Sequence, residues 1–298
     1  MIRSVVRNIR KLSAVSLTVI GLLSVSQASE KEVLNFGIIS TESSQNLRAN
    51  WQPMLDDMSE KIGIEVKPFF ASDYAGVIQG MRFGKVDLAW YGNKSAMEAV
   101  DRASGEIFAQ VVYDDGTTGY KSYLITHQDN KNINNVKDVL TQASELTFGN
   151  GDPNSTSGNL VPSYYVFGVN NVDPNEVFKR TLNANHESNF MAVANKHVDV
   201  ATFNSTHWSA LEGKNSPLLQ QVKVIWESPE ISSDPLVWHT DLPEDLKKNI
   251  KAFFMSYGRD NPEETKILNN LSWSSFKESN NDHLIPTREL ESFKAKSK

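Results

Sequence analysis

Short apolar runs alternate along this chain with stretches whose apolar residues recur every three or four positions. Val33-Leu34-Asn35-Phe36-Gly37-Ile38-Ile39 reads as a strand, after which Trp51, Met54, Leu55, Met58 and Ile62 share one helical face. Ile64 to Phe69 predicts a second strand, Tyr74 to Phe83 a helix and Val86 to Trp90 a third strand. Strands separated by helices predict parallel pairing through right-handed crossovers, the mark of an α/β protein. Tyr120 to Thr126 is extended and β-rich, and Val222 to Trp226 and Leu236 to His239 are later strands. Glu244 to Tyr257 and Glu263 to Leu271 carry helical periodicity, and the polar stretch His127 to Asn135 predicts a surface loop.

The pattern occurs twice. Leu34-x-Phe36-Gly37 returns as Leu146-x-Phe148-Gly149, and Val86-Asp87-Leu88-Ala89 returns as Val198-Asp199-Val200-Ala201, both displaced by 112 residues. A unit that long is no solenoid repeat; it predicts two similar α/β lobes. Tyr120–Thr126 then carries the chain into the second lobe, and Leu236–His239 carries it back. Two crossing strands make a hinge on which lobes close over a ligand. The expected organisation is a leader over residues 1–28, a first lobe from 29–122 and 238–298, and a second lobe from 123–237.

The leader is read from charge. Arg3, Arg7, Arg10 and Lys11 open the chain without an acid, an apolar run spans Leu12 to Val25, and Ser26-Gln27-Ala28 places small residues where a leader peptidase cuts. This predicts a secretory signal peptide cleaved after Ala28. The run is short and broken by Ser13, Ser16 and Ser24, which argues against a membrane anchor. Losing its four cations takes the formal net charge from −6 to −10, a balance unsuited to nucleic acid or anionic lipid. Cysteine is absent, which excludes a thiol nucleophile, a cysteine zinc site and a lipid-modified N-terminal cysteine. An exported chain with no lipid anchor points to the periplasm of a Gram-negative cell.

Candidate chemistry lies where the strand Leu146–Gly149 runs into Asn150-Gly151-Asp152-Pro153-Asn154-Ser155-Thr156-Ser157-Gly158. Ligands of open parallel sheets bind outside the carboxyl ends of strands, where helix N-termini point. Gly149 and Gly151 predict a tight turn, and Ser155, Thr156 and Ser157 head the helix that continues through Leu160, Val161, Tyr164, Tyr165 and Phe167. Free N–H groups and hydroxyls at a helix start attract an anion. The segment is not a phosphate loop of the Gly-Lys-Ser/Thr kind. Nor is it an EF-hand, because Ser157 and Ser163 stand where a glycine and a glutamate are required. Across the repeat Tyr74 corresponds to His186, Ser43 to Ser155 and Tyr91 to Phe203, which places a phenol and an imidazole on opposing walls. Ser155, His186 and Asp234 also contain the residue types of a hydrolase triad, but no Gly-x-Ser-x-Gly surrounds the serine. His186, His197 and His207 lack the helical spacing of a zinc pair. No cofactor or metal is called for.

Leu34 to Ser43, Asp73-Tyr74-Ala75-Gly76, Val86 to Asn93, Phe148 to Gly158, Asn185-His186-Glu187 and Ser233 to Trp238 together resemble the periplasmic phosphonate-binding proteins of ABC importers. The resemblance implies a two-lobed type II periplasmic-binding-protein fold, the Venus flytrap. It also implies a receptor, not an enzyme, that hands a small phosphonate to a membrane permease and its ATPase. By motif match, Tyr74, Tyr120, Ser155, Thr156, Ser157 and His186 would hold the phosphonate oxygens. Asp234 matches a carboxylate that pairs with the amino group of 2-aminoethylphosphonate. Thr206-His207 stands where aminoalkyl-binding members carry a second acid. The chain stops soon after Phe293-Lys294, where some members extend into a self-associating tail, so a monomer is expected. Receptors for phosphite, phosphate or sulfate remain alternatives on hydroxyl chemistry alone.

Overall fold

The alternation of apolar runs and amphipathic stretches folds into two sheets. The structure, a computed structural model, describes residues 33–296; the expected signal peptide lies outside them. In chain order its elements are β1 (Val33–Ile38), α1 (Ser44–Ile62), β2 (Glu65–Phe70), α2 (Tyr74–Arg82), β3 (Leu88–Trp90), α3 (Asn93–Arg102), β4 (Gly105–Tyr113), β5 (Gly119–Tyr120), β6 (Ser122–His127), α4 (Val136–Gln142) and β7 (Thr147–Gly151). A π-helical stretch, Thr156–Leu160 and again Ser163–Phe167, leads to α5 (Pro174–Val177), β8 (Arg180–Ala184), α6 (His186–Ala194), β9 (Val200–Asn204) and α7 (Ser205–Gly213). β10 (Val222–Glu227), β11 (Ile231–Ser232), β12 (Pro235–His239), α8 (Glu244–Ser256), α9 (Pro262–Asn270), β13 (Trp273–Glu278) and α10 (Ile285–Lys296) complete it.

The first sheet has the order β13-β4-β12-β3-β1-β2 and the second β10-β6-β9-β7-β8. Pairing is parallel where the repeat is, β1 with β2 and β3, and β7 with β8 and β9. It turns antiparallel at β12, β4 and β13, and at β6 and β10, where strands arrive from outside the repeat. The two segments that cross between the lobes pair with each other, β5 with β11, as a ladder of two residues each. No helix among the described residues is long and apolar enough to cross a membrane.

The 112-residue repeat is visible bond by bond. Asn35 N–H donates to Asp87 Oδ2 at 2.7 Å, and Thr147 N–H donates to Asp199 Oδ2 at 2.7 Å. Each carboxylate staples the loop before its strand to the parallel neighbour. Asp73 caps α2 through Gly76 N–H, and Asn185 caps α6 through Ser188 N–H. Gly37 and Gly149 hold the same place beneath those helices. A Cβ on Gly37 would lie 2.7 Å from Val77, and one on Gly149 would lie 2.8 Å from Asn189 Oδ1.

The first lobe's core is an aromatic stack. Trp51 lies 5.3 Å from Phe36, 5.3 Å from Trp90 and 5.2 Å from Trp273 between ring centroids, and Phe254 of α8 packs on Phe36, Phe108 and Phe276. Phe254 is fully buried and does not line the interlobe cleft. Phe254→Ala is therefore expected to cost about 3–5 kcal/mol of stability. Urea unfolding would measure this, and ligand affinity of the folded protein should stay within threefold. A loss below 1 kcal/mol would mean that α8 does not hold the first sheet.

Candidate functional site

The carboxyl ends of β1, β3, β7 and β9 face one cleft between the two sheets. Tyr74, Tyr120, Ser155, Thr156, Ser157, His186 and Asp234, the residues singled out from sequence, all line it. Its volume is about 70 Å³. At roughly 10–15 Å³ per water by that measure, it takes a ligand of a few non-hydrogen atoms.

Each hydroxyl of the Ser155–Ser157 run already accepts one N–H. Ser155 Oγ accepts from Gly158 N–H at 3.0 Å, Thr156 Oγ1 accepts from Lys94 N–H at 2.9 Å, and Ser157 Oγ accepts from Asn204 Nδ2 at 3.3 Å. Each keeps its proton to donate, with one lone pair to spare. All three are 3% exposed or less, so those protons serve the cleft and not bulk water. The helix behind them is wider than the α-helix that sequence predicts. Leu160 N–H reaches back five residues to Ser155 O at 3.1 Å, and Val161 N–H to Thr156 O. Pro162, without an N–H, leaves the normal ladder incomplete here. The two glycines do not form the expected tight turn. Gly151 ends β7, and a Cβ there would lie 2.5 Å from the Gly158 backbone. Close approach of strand to helix start, not a turn, requires glycine.

The protons of the two histidines follow from their partners. Asn204 Oδ1 accepts the backbone N–H of His207 at 2.9 Å, which fixes the amide's orientation. His207 Nδ1, also 2.9 Å from that oxygen, must then carry a proton. Asn204 Nδ2 lies 3.2 Å from His186 Nε2, which must accept. His186 Nδ1–H is left enclosed with no partner among the described residues. Burial holds the His186 imidazolium well below its ordinary range and pushes His207 to about 4, so both are neutral near pH 7. The triad that Ser155, His186 and Asp234 could furnish is not assembled. Ser155 bonds Gly158, the serine within reach of His186 Nε2 is Ser157 at 3.5 Å, and His186 Nδ1 has no carboxylate behind it among the described residues.

Asp234 brings the opposite chemistry. Its Oδ1 is enclosed and accepts nothing among the described residues, and burial pushes the carboxyl up to about 7 against a hydrogen bond from Tyr120. Burial, with the Asp152 and Asp234 charges nearby, keeps the Tyr74 phenol protonated, and burial beside Asp234 does the same for Tyr120. Trp90 Nε1–H is a further enclosed donor without a partner among the described residues.

The lobes meet through helix N-termini. Glu187 of the second lobe accepts from Ser43 N–H and from Asn46 Nδ2, both at 2.6 Å, at the start of α1. Asp152 Oδ2 accepts Tyr74 N–H of α2 at 3.2 Å, and Thr156 accepts Lys94 N–H of α3. Oxygen from one lobe thus caps three helices of the other, which is the closed arrangement. Sequence reasoning missed Tyr113, Trp90, Asn204, Glu42 and Lys214 as cleft residues. Asn204 alone left a signal, since it stands 112 residues after Gly92, the cap of α3. Among the described residues, no group of three or more His, Cys, Asp or Glu is placed to hold a metal.

The family model for the periplasmic substrate-binding protein of phosphonate ABC transporters matches residues 36–284. The chain is 56% identical to the phosphonates-binding periplasmic protein of Escherichia coli (strain K12), over 92% of this chain and 80% of that one. It is 29% identical to the phosphate-import protein PhnD of Mycolicibacterium smegmatis, over 75% and 71%. Among solved structures, a binding protein component of an ABC phosphonate transporter from Pseudomonas aeruginosa superposes with a TM-score of 0.87 at 58% identity, covering 90% of this chain and 88% of that one.

Proposed function

Because the chain belongs to the family of periplasmic phosphonate-binding proteins of ABC transporters, we propose that its cleft captures a small aminoalkylphosphonate, best 2-aminoethylphosphonate. The observation that carries this reading is the meeting of hydroxyl donors with an acid whose Oδ1 has no hydrogen-bond partner among the described residues. Ser155, Thr156 and Ser157 offer three O–H groups to an oxyanion, joined by the Tyr74 phenol and His186 Nδ1–H, with Tyr120 beside them donating to Asp234. Asp234 offers lone pairs in the same cleft. A buried carboxylate beside a bound anion is costly unless a cation also arrives. An ammonium tethered to the phosphonate supplies one.

In this reading the phosphonate docks on the second lobe, and the first lobe closes about the β5–β11 ladder near Gly119–Tyr120 and Ile231–Ser232. Contacts from Glu187, Asp152 and Thr156 to the three helix starts hold the closed form, which the permease and its ATPase recognise. The lobe boundaries then fall at that ladder. The leader over residues 1–28 directs export to the periplasm, and the receptor works as a monomer.

Calorimetric titration with 2-aminoethylphosphonate, methylphosphonate, phosphite and phosphate tests the reading. A phosphonate should bind at least roughly tenfold more tightly than phosphate, about 1.4 kcal/mol. Equal affinities would favour the second reading, a general oxyanion receptor. That alternative draws on the relative in M. smegmatis, whose name is that of a phosphate importer, and on donors that do not by themselves sort one tetrahedral anion from another.

A further inference from the structure

Behind the cleft lies a larger cavity. Its volume is about 410 Å³, and its walls come from three places: Val161, Tyr164 and Tyr165 of the π-helical stretch, Ile231 and Ser232 of β11, and one face of α10. Thr156 lines both spaces, so its 2.9 Å bond to Lys94 N–H, a contact between lobes, stands where they meet. The hinge ladder divides them as well. Tyr120 of β5 faces the cleft, and its partner Ile231 of β11 faces the cavity.

α10 belongs to the first lobe but reaches the second. Arg288 grips Asp101 near the end of α3 through two bonds, at 2.9 and 2.6 Å, and Glu291 lies 3.3 Å from the buried Lys94 ammonium. Farther along, the Phe293 ring meets Tyr164 edge-on, 4.6 Å between centroids. The π-helical stretch is itself divided. Val166 and Phe167 pack into the second lobe's own core, whereas Val161 and Tyr165 join the first lobe's apolar cluster together with Leu290 of α10. Tyr164, Tyr165 and Leu290 are only half-buried on the cavity wall. Apolar surface from both lobes thus faces the rear space without being fully covered.

A rotation about the ladder that widens the space on one side narrows the space on the other. We propose that α10 and the π-helical stretch form a counterweight to the ligand cleft. Opening of the cleft closes the rear cavity, and the apolar area covered there holds the ligand-free receptor open. The proposal goes beyond the binding reading and depends only on its closure about the β5–β11 ladder. Affinity is reduced by the fraction of receptor already closed before the ligand arrives. Side chains that touch no ligand therefore set the affinity for every ligand alike.

The test uses the full mature chain. Ser292 and Glu289 are exposed positions of α10 on the cavity wall, so tryptophan there fits the closed form and collides with the second lobe in the open one. Ligand-free Ser292→Trp and Glu289→Trp should scatter X-rays with a smaller radius of gyration than ligand-free wild type, whereas Ser292→Ala should match it. By calorimetry both tryptophan variants should bind 2-aminoethylphosphonate and methylphosphonate at least about fivefold more tightly, with the ratio of the two affinities within about twofold of wild type. Wild-type radius and affinities in both variants, or weaker binding, overturn the counterweight. So does a ligand-free wild type already as compact as the liganded protein.

The direction of movement has its own measurement. The chain has no cysteine, so spin labels attach only at Ile285→Cys on α10 and Val169→Cys on the second lobe, both exposed and off the cavity wall. Their separation should lengthen as ligand closes the cleft. Shortening, or no change while scattering reports closure, overturns the proposal. Any of the four anions that binds can drive closure, so failure of the phosphonate reading leaves this result readable.

Discussion

Thr156→Val is expected to weaken phosphonate binding by about 100- to 1,000-fold while leaving the fold intact. Valine matches threonine in shape, so the substitution removes one oxygen and little volume. That oxygen has two tasks in the closed form. It accepts the N–H of Lys94, at the start of α3 on the other lobe, at 2.9 Å. It still has its proton to give the ligand. Losing a hydrogen bond to a charged oxygen costs about 1.5–3 kcal/mol, and leaving the enclosed Lys94 N–H without an acceptor costs a further 1–3 kcal/mol. A combined loss near 3–4 kcal/mol converts to the stated range. Calorimetry would measure the affinity, and urea unfolding of the ligand-free variant should show a much smaller change. An affinity within fivefold of wild type would mean that the oxyanion sits elsewhere in the cleft. The same prediction separates Thr156 from Ser155, whose lone pair is satisfied within its own helix by Gly158. Ser155→Ala should cost the ligand bond alone.

Much of this arrangement is legible in the order of residues, and the part that is not has a physical reason. The offset that pairs Val86-Asp87 with Val198-Asp199 locates two equivalent lobes because the same carboxylate staple, Asp87 to Asn35 and Asp199 to Thr147, is needed wherever the unit folds. Ser155–Ser157 is legible because hydroxyls at a helix start are a local signal. The strands β4, β8 and β13 escape the pattern. β13 reads Trp-Ser-Ser-Phe-Lys-Glu, a weak run whose partner β4 lies some 160 residues earlier, so tertiary pairing decides it. The π-helical turns hinge on one missing N–H at Pro162, which a periodicity count cannot distinguish from a kink. The protons of the two cleft histidines were hidden for a different reason, because they follow from one amide, Asn204, whose role depends on contacts and not on composition.

Asp234→Asn is the sharper probe of what the ligand carries besides its oxyanion. In the ligand-free protein burial raises this carboxyl to about 7 from an ordinary 3.8. The protonated acid is the favoured buried form, so its contribution to stability is full below about pH 4 and is lost as pH rises through about 7. Asparagine has no such charge to bury. The variant should therefore gain on wild type between pH 4 and pH 8, by a few kcal/mol at most, since about 1.4 kcal/mol accompanies each pKa unit and the residue retains some exposure. Affinity should move the other way for an amino ligand. Removing one partner of a buried ion pair costs about 3 kcal/mol or more, so 2-aminoethylphosphonate should bind at least roughly 100-fold more weakly. Methylphosphonate, freed from repulsion, should bind as well or better. Proton exchange adds a sign. An ammonium beside Asp234 drives its proton off, so near pH 7 wild-type protein should release more protons on binding the amino ligand than the asparagine variant does. Titrations in two buffers of different ionisation enthalpy would read that difference. An oxyanion alone would raise the carboxyl further and give uptake instead. Uptake, together with unchanged affinity for 2-aminoethylphosphonate in Asp234→Asn, would place a P–OH group against this carboxylate and turn the receptor toward phosphate or phosphite.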